Sequence, residues 1–117
     1  MKKNPMGNIQ ICKRILEEIQ DLTFILEDIN KIEFIDNMIL QKATVMTLLN
    51  IGELCNKFDS TLRDKYSAIP WKAVIGLRNI AAHDYGIIDE DIIWDTVKVD
   101  IPTLEKDIFN IMNELQI

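Results

Sequence analysis

The chain has 117 residues, of which 48% are hydrophobic, and it carries a formal net charge of −6. This length suits one domain with a real core and excludes a second one, so we expect a single domain over residues 1–117 with its core at about residues 8–116. The acidic balance excludes attraction of a polyanion to the surface as a whole. Any contact with a polyanion must therefore be local, or be made by only part of an assembly.

Two features of the sequence bear on its compartment. No stretch approaches the ~18 uninterrupted apolar residues of a membrane span, and Cys12 and Cys55 lack the paired spacing of a zinc or redox motif. Both are expected to be buried free thiols, since a free cysteine packs as a small apolar residue. We therefore expect a cytoplasmic protein without membrane association.

The first half of the chain has the apolar spacing of two long helices. The first is predicted from an N-cap at Asn8 to about Asn30, because apolar residues recur there every three or four positions. The second, from about Asp36 to Phe58, is apolar around most of its circumference, as is typical of a helix in the middle of a bundle. Its one polar stripe could be a solvent slot or the lining of a site, and consists of Asn50, Glu53 and Lys57.

The second half contains shorter predicted helices. One runs from Asp59 to about Tyr66, and the next begins at Pro70, ends near Gly86 and has a core stripe at Trp71, Val74, Leu77 and Ala81. Asp89 can cap a further short helix, and Asp100 with Pro102 marks the start of a last one. No alternating strand pattern is present. The sequence therefore predicts an all-α bundle of four to six helices.

Polar residues gather around the only histidine, His83. On an α-helix, Arg78 and Tyr85 are seven residues apart and share one stripe, while Asn79 and His83 are four apart and share the adjacent one. This spacing permits a shared site. It is equally compatible with a histidine that only complements a helix dipole and an arginine that only forms a surface ion pair.

The segment Arg78-Asn79-Ile80-Ala81-Ala82-His83-Asp84-Tyr85 resembles the Arg-x4-His-x-Tyr signature of HepT toxins, in the HEPN superfamily. The resemblance extends over about residues 8–116, in the order and at the separations that the family shows. Its further matches are Ile51-Gly52-Glu53, Tyr66, Ile69-Pro70-Trp71, Gly76-Leu77, Trp94, Ile101-Pro102 and Leu104. It implies a HEPN-type helical bundle and a toxin of a type II toxin–antitoxin module.

The resemblance also implies roles for single residues. The catalytic pair of a metal-independent endoribonuclease would be Arg78 and His83, with Asn79 and, more weakly, Glu53 in support. Tyr85 would be the residue to which a nucleotidyltransferase antitoxin of the MNT type adds AMP. Without the resemblance, a tyrosine before a helix-ending glycine is as often a packed, hydrogen-bonded ring.

The chemistry of RNA cleavage bears on the oligomeric state. Without a metal, cleavage needs a base for the ribose 2′-OH, positive charge at the phosphorane-like transition state and an acid for the leaving oxygen. One chain supplies a single histidine, so we expect a homodimer that brings two copies of His83 and of Arg78 into one cleft. We expect neither a metal nor another cofactor, because the nearby carboxylates suit helix capping better than coordination.

One alternative function stays open from the sequence. The same helical dimer could be catalytically inactive and bind a nucleotide or a protein as the partner of a nucleotidyltransferase, which the acidic balance favours somewhat. A purely structural bundle is a weaker third interpretation.

Overall fold

The computed structural model of the protein describes residues 7–80 and 89–117, and in that part of the chain every regular element is helical. A 3₁₀ helix (Gly76–Asn79) follows α5, and a π-helical segment (Thr96–Asp100) lies between α6 and α7. The α-helices are α1 (Asn8–Ile25), α2 (Lys31–Ile35), α3 (Met38–Cys55), α4 (Ser60–Lys65), α5 (Trp71–Ile75), α6 (Glu90–Asp95) and α7 (Ile101–Leu115). The predicted all-α bundle is confirmed.

Helix α1 begins one residue earlier than predicted and ends well before Asn30. Gly7 rather than Asn8 occupies the N-cap, and the Asn8 side chain instead donates a hydrogen bond to Asp59 at 3.1 Å. At the other end the helix stops at Ile25, and the chain turns at Asp28, whose φ of 60° lies in the left-handed region. Asp and Asn tolerate this conformation better than most residues. The continuation to Asn30 was therefore wrong.

A short helix that the sequence did not predict fills the supposed polar break. Asn30 caps α2 with a reciprocal capping box, in which its side chain accepts from the Glu33 amide at 2.8 Å and its own amide donates to Glu33 at 3.1 Å. At its end, the buried side-chain amide of Gln41 donates to the carbonyls of Phe34 and Ile35 at 2.9 and 2.8 Å. These contacts stabilise a helix too short to persist alone.

Helix α3 occupies the middle of the bundle, as its apolar character predicted. It contacts α1, α2, α5, α6 and the 3₁₀ helix, while α7 packs against α1. The core includes Ile15, Leu48, Ile51 and Phe58, each at most 1% exposed. One face of α3 nevertheless remains exposed in the single chain, at Met38, Ile39 and Met46.

Helix α6, the π-helical segment and α7 follow one another without a break. The predicted start at Asp100 and Pro102 is confirmed in position, since α7 begins at Ile101 with Asp100 in the N-cap position. The Asp100 backbone is already helical, with φ of −76° and ψ of −40°, and its side chain forms no capping hydrogen bond. Pro102 has no N–H to donate and its ring crowds the preceding turn, which accounts for the widened turn just before it. Thr103 donates to the Val99 carbonyl at 3.3 Å and so supplies a bond within that turn.

Among the described helices, none combines the length and the apolar character that crossing a membrane requires.

Candidate functional site

Arg78 lies in the 3₁₀ helix that continues α5, and this helix packs against α3. The predicted α-helix from Pro70 to Gly86 is correct only as far as Ile75 in the described residues, because Gly76–Asn79 winds more tightly. A 3₁₀ helix has about 3.0 residues per turn rather than 3.6. The prediction of two polar stripes assumed the 100° per residue of an α-helix. It therefore does not describe the directions in which Arg78 and Asn79 point.

The side chain of Arg78 is paired with Glu53 of α3. Its Nη1 atom lies 3.9 Å from Glu53 Oε1, and the two side chains are 36% and 51% exposed. The separation is close to the limit for an ion pair and solvent reaches both groups, so the pair is loose and readily exchanged. An exposed Glu53 that pairs with Arg78 is compatible with both interpretations of the polar stripe, a solvent slot and the lining of a site.

The other polar residues have different surroundings. Asn50 donates a hydrogen bond to Glu18 of α1 at 2.9 Å, which fastens two long helices together instead of facing Arg78. Asn79 is exposed at the end of the 3₁₀ helix. His83 and Tyr85, with the predicted helix end at Gly86 and the core residue Ala81, lie outside the described residues.

Gly52 belongs to a segment that matched the family, but the sequence assigned it no role of its own. A Cβ atom built on it would stand 2.5 Å from the backbone nitrogen of Arg78 and 2.9 Å from the Ile75 carbonyl oxygen. The absence of a side chain therefore permits the close approach of α3 to the segment that carries Arg78. A glycine in the middle of a long apolar helix, directly before Glu53, was the available signal.

The acidic residues that follow the histidine in sequence are engaged locally where they are described. Asp89 accepts a hydrogen bond from the Ile92 amide at 3.1 Å as the N-cap of α6, and Asp91 forms an ion pair with Lys31 of α2 at 3.0 Å. The capping interpretation is thus confirmed for Asp89. Within residues 7–80 and 89–117, no group of three or more His, Cys, Asp or Glu side chains could hold a metal ion.

This arrangement offers a fixed cation at the surface. A guanidinium is always charged at physiological pH, and its planar fork of donors matches two oxygens of a phosphate or a carboxylate. Since Arg78 is part-exposed and holds Glu53 only loosely, a phosphate can take the place of the carboxylate at small cost. Arg78 is therefore able to bind and stabilise an anionic group brought to the junction of α3 and the 3₁₀ helix.

Comparison with known proteins agrees with this chemistry. The family model described as "Ribonuclease HepT-like" matches residues 14–111. The chain is similar to a protein of Methanocaldococcus jannaschii named as a candidate RNase, at 37% identity over 94 residues, which cover 80% of this chain and 86% of that protein. No solved structure matches the chain.

Two further relatives cover most of the chain. A protein of Caldanaerobacter subterraneus, also named as a candidate RNase, is 32% identical over 106 residues, or 91% of this chain and 88% of that protein. The "Probable ribonuclease HepT" of Thermococcus cleftensis is 27% identical over 105 residues, or 90% and 93%. Both the family and the ribonuclease class predicted from the sequence are confirmed, and the chain belongs to the HepT-like ribonuclease family.

Proposed function

We propose that the chain is the toxin of a HepT/MNT toxin–antitoxin module and cleaves RNA without a metal, with Arg78 and His83 as its catalytic pair and Asn79 and Glu53 in support. The observation that carries the proposal is the position of Arg78. It is a part-exposed cation, held beside an exchangeable carboxylate on the motif-bearing segment of a chain from a ribonuclease family. The names of the relatives as RNases support the same activity.

The proposed reaction divides its tasks between the two residues. Neutral His83 removes the proton of a ribose 2′-OH, the 2′-oxygen attacks the adjacent phosphorus, and the bond to the 5′-oxygen breaks. Arg78 stabilises the extra negative charge on the phosphorane-like transition state through its donor fork. Protonated histidine from a second chain donates to the leaving 5′-oxygen. The products are a 2′,3′-cyclic phosphate and a free 5′-hydroxyl.

A homodimer supplies the second histidine, and one face of α3 supports such an assembly. Ile39, Met46 and Glu53 follow one another at intervals of seven residues, so they share a face of the helix. Ile39 is 77% exposed and Met46 57% exposed. We propose that a second copy of the chain covers this apolar face, which would bring the Glu53 and Arg78 pairs of both chains to one cleft.

Cleavage by the purified protein tests the proposed activity. Single-stranded RNA is incubated with wild type, Arg78→Ala and His83→Ala in the presence of EDTA, and the product ends are analysed. Wild type should cleave and leave 2′,3′-cyclic phosphates, and each variant should lose at least about 100-fold in rate. Lys72→Ala, an exposed change on α5, is the control that should cleave like wild type. Equal cleavage by His83→Ala would refute the assignment.

We further propose that AMP added to Tyr85 inactivates the toxin. Transfer of AMP to the tyrosine hydroxyl by the antitoxin would introduce a phosphodiester charge and a bulky nucleoside two residues from His83. That charge would repel the RNA phosphate as a phosphoryl group does. After coexpression with a nucleotidyltransferase of this type, mass spectrometry should locate AMP on Tyr85. An unmodified tyrosine in an inactive complex would contradict this switch.

The acidic composition favours a second candidate function. With a net charge of −6, the chain does not attract RNA over long distances, and an inactive dimer could instead bind a nucleotide or the nucleotidyltransferase itself. Overexpression distinguishes the two functions. Growth arrest that Arg78→Ala abolishes supports catalysis, whereas harmless overexpression of soluble wild type supports the binding partner.

A further inference from the structure

Helix α3 closely approaches the segment that carries Arg78 at Gly52. A Cβ there would meet three backbone atoms, namely the Arg78 nitrogen at 2.5 Å, the Ile75 carbonyl oxygen at 2.9 Å and the Arg78 Cα at 3.2 Å. Distances below 3.0 Å are not tolerated, and backbone atoms, unlike the end of a flexible side chain, have no other rotamer. A single methyl group would thus force the two segments apart.

Local conformation gives no other reason for a glycine at this position. Gly52 lies within the 18 residues of α3 and its φ is not in the left-handed region. In the interior of a helix, glycine is destabilising relative to alanine. The contact with Arg78 accounts for the glycine, because it is the one feature of this position that an alanine would destroy.

The contact also sets the starting point of the Arg78 side chain. With the Arg78 backbone seated on Gly52, its guanidinium can extend to Glu53, the next residue on α3, at 3.9 Å. Relief of the overlap, from 2.5 Å to an ordinary contact of 3.4 Å, would move the Arg78 backbone and the base of its side chain outward by about 1 Å. Displacements of about 1 Å in a catalytic group can cost 100-fold in rate.

We propose that Gly52 is a positioning residue for Arg78, which holds the backbone of the arginine against α3 so that its guanidinium reaches the scissile phosphate. The proposal rests on the proposed ribonuclease function. Its role is distinct from that of a catalytic residue, since Gly52 has no side chain with which to touch RNA.

The test compares Gly52 with a second glycine, Gly76, that precedes Arg78 in the chain but makes no such contact. Gly52→Ala adds a methyl group at the contact, whereas Gly76→Ala adds one two residues before Arg78, where no neighbouring atom of residues 7–80 and 89–117 lies within 4 Å. For RNA cleavage we expect kcat of Gly52→Ala to fall 10- to 100-fold, with KM changed less than three-fold. Gly76→Ala should keep both constants.

NMR signals of Arg78 report its position independently of RNA cleavage. In ¹⁵N spectra, the Arg78 side-chain Nε–H signal is assigned by its loss in Arg78→Lys. We expect Gly52→Ala to move this signal and the Arg78 backbone amide signal, and Gly76→Ala to leave the side-chain signal in place. In wild type, a nuclear Overhauser effect should connect the Gly52 Hα protons to the Arg78 amide proton.

Each arm has an outcome that overturns the proposal. The proposal is refuted if Gly52→Ala leaves both kcat and the Arg78 signal unchanged. It is also refuted if kcat is lost while the Arg78 signal stays unchanged. If Gly52→Ala fails to fold while Gly76→Ala folds, Gly52 serves the fold as a whole and the specific role is refuted. Should wild type not cleave RNA, the proposed function fails, and a shifted Arg78 signal would still support positioning alone.

Discussion

The guanidinium of Arg78 lies 3.9 Å from the carboxylate of Glu53, across the junction of the 3₁₀ helix and α3. Exposed ion pairs of this kind contribute about 0–1 kcal/mol to folding, because solvent screens the charges and the side chains lose freedom. The pair is therefore of little value to stability. In the proposed mechanism, the pair instead orients the Arg78 guanidinium toward the RNA.

Glu53→Gln should separate the contribution of the ion pair to stability from its role in orienting Arg78. We expect a change in the free energy of unfolding below about 0.5 kcal/mol, because the side chain is exposed. Without its partner, Arg78 samples more conformations, and kcat for RNA cleavage should fall several-fold. KM should stay equal or decrease, since a negative charge beside the phosphate is removed. Glu17→Gln on the exposed side of α1 is the control. If kcat were unchanged, Glu53 would have no supporting role.

The apolar face of α3 predicts the effect of charge on assembly. If the proposed dimer forms through this face, Ile39→Glu combined with Met46→Glu should convert it to a monomer, as measured by sedimentation, and should abolish cleavage by removing the second histidine. The fold should survive because both side chains are exposed in the single chain. The control is Phe24→Glu, an exposed apolar residue at the end of α1. A double variant that remains dimeric would show that the chains meet elsewhere.

Much of the fold was predictable from the sequence because apolar periodicity dominates the long helices. The spacing of Ile11, Ile15, Ile19 and Leu22 predicted α1, and all four are at most 2% exposed. The nearly uniform apolar character of α3 predicted its central position, which the contacts confirm. These are patterns that burial imposes directly on the sequence.

The errors arose where short-range geometry outweighed periodicity. Ile29 keeps the spacing of α1, but the left-handed turn at Asp28 ends that helix first, and the capping box at Asn30 starts another. Near Pro102, α7 begins where the sequence predicted, but a π-helical segment joins it to α6 without the break that a separate start implies. Periodicity does not distinguish a break from a turn that remains helical.

The site was only partly predictable for a related reason. Motif spacing singled out Arg78 and Glu53, and the structure brings both together. The motif spacing did not reveal that α5 is followed by a 3₁₀ helix before Arg78, nor that the Arg78 backbone packs against Gly52. Both are tertiary effects, since the packing against α3 is determined by residues distant in sequence.

Helix α4 should depend on its cap and on pH. The Leu62 amide donates to Asp59 at 2.9 Å, and this bond, then the one from Asn8, lowers the pKa of Asp59 from its ordinary value. Asp59→Ala should therefore lower the free energy of unfolding by about 1 kcal/mol at pH 7. Denaturant titrations measure the change, and Asp64→Ala on the same helix is the control.

The sign of the pH effect follows from the direction of that shift. A lowered pKa stabilises the fold above the ordinary carboxyl pKa of about 3.9, and this contribution is lost as pH falls through the still lower value of the folded protein. The difference between wild type and Asp59→Ala should thus shrink below about pH 4. A difference that grew in acid would contradict the assigned cause.

The two cysteines should be inert in the folded protein. Burial raises the pKa of Cys12 to about 11 and that of Cys55 to about 12. At pH 8, a thiol reagent should consume both thiols in denaturant and neither in the native state, because only the thiolate reacts. Since unfolded thiols ionise at lower pH, stability should decrease as pH rises above about 8.5. Rapid native labelling of either cysteine would contradict this burial.

Mixed dimers test the composite site most directly. Wild type and His83→Ala are unfolded together at varied proportions and refolded, and the RNA cleavage rate is measured against the wild-type fraction at constant total protein. If one histidine acts as base and that of the other chain as acid, only dimers with two wild-type chains are active, and the rate follows the square of the wild-type fraction. A rate that rises in direct proportion to the wild-type fraction would show that each chain cleaves alone, and would contradict the shared site.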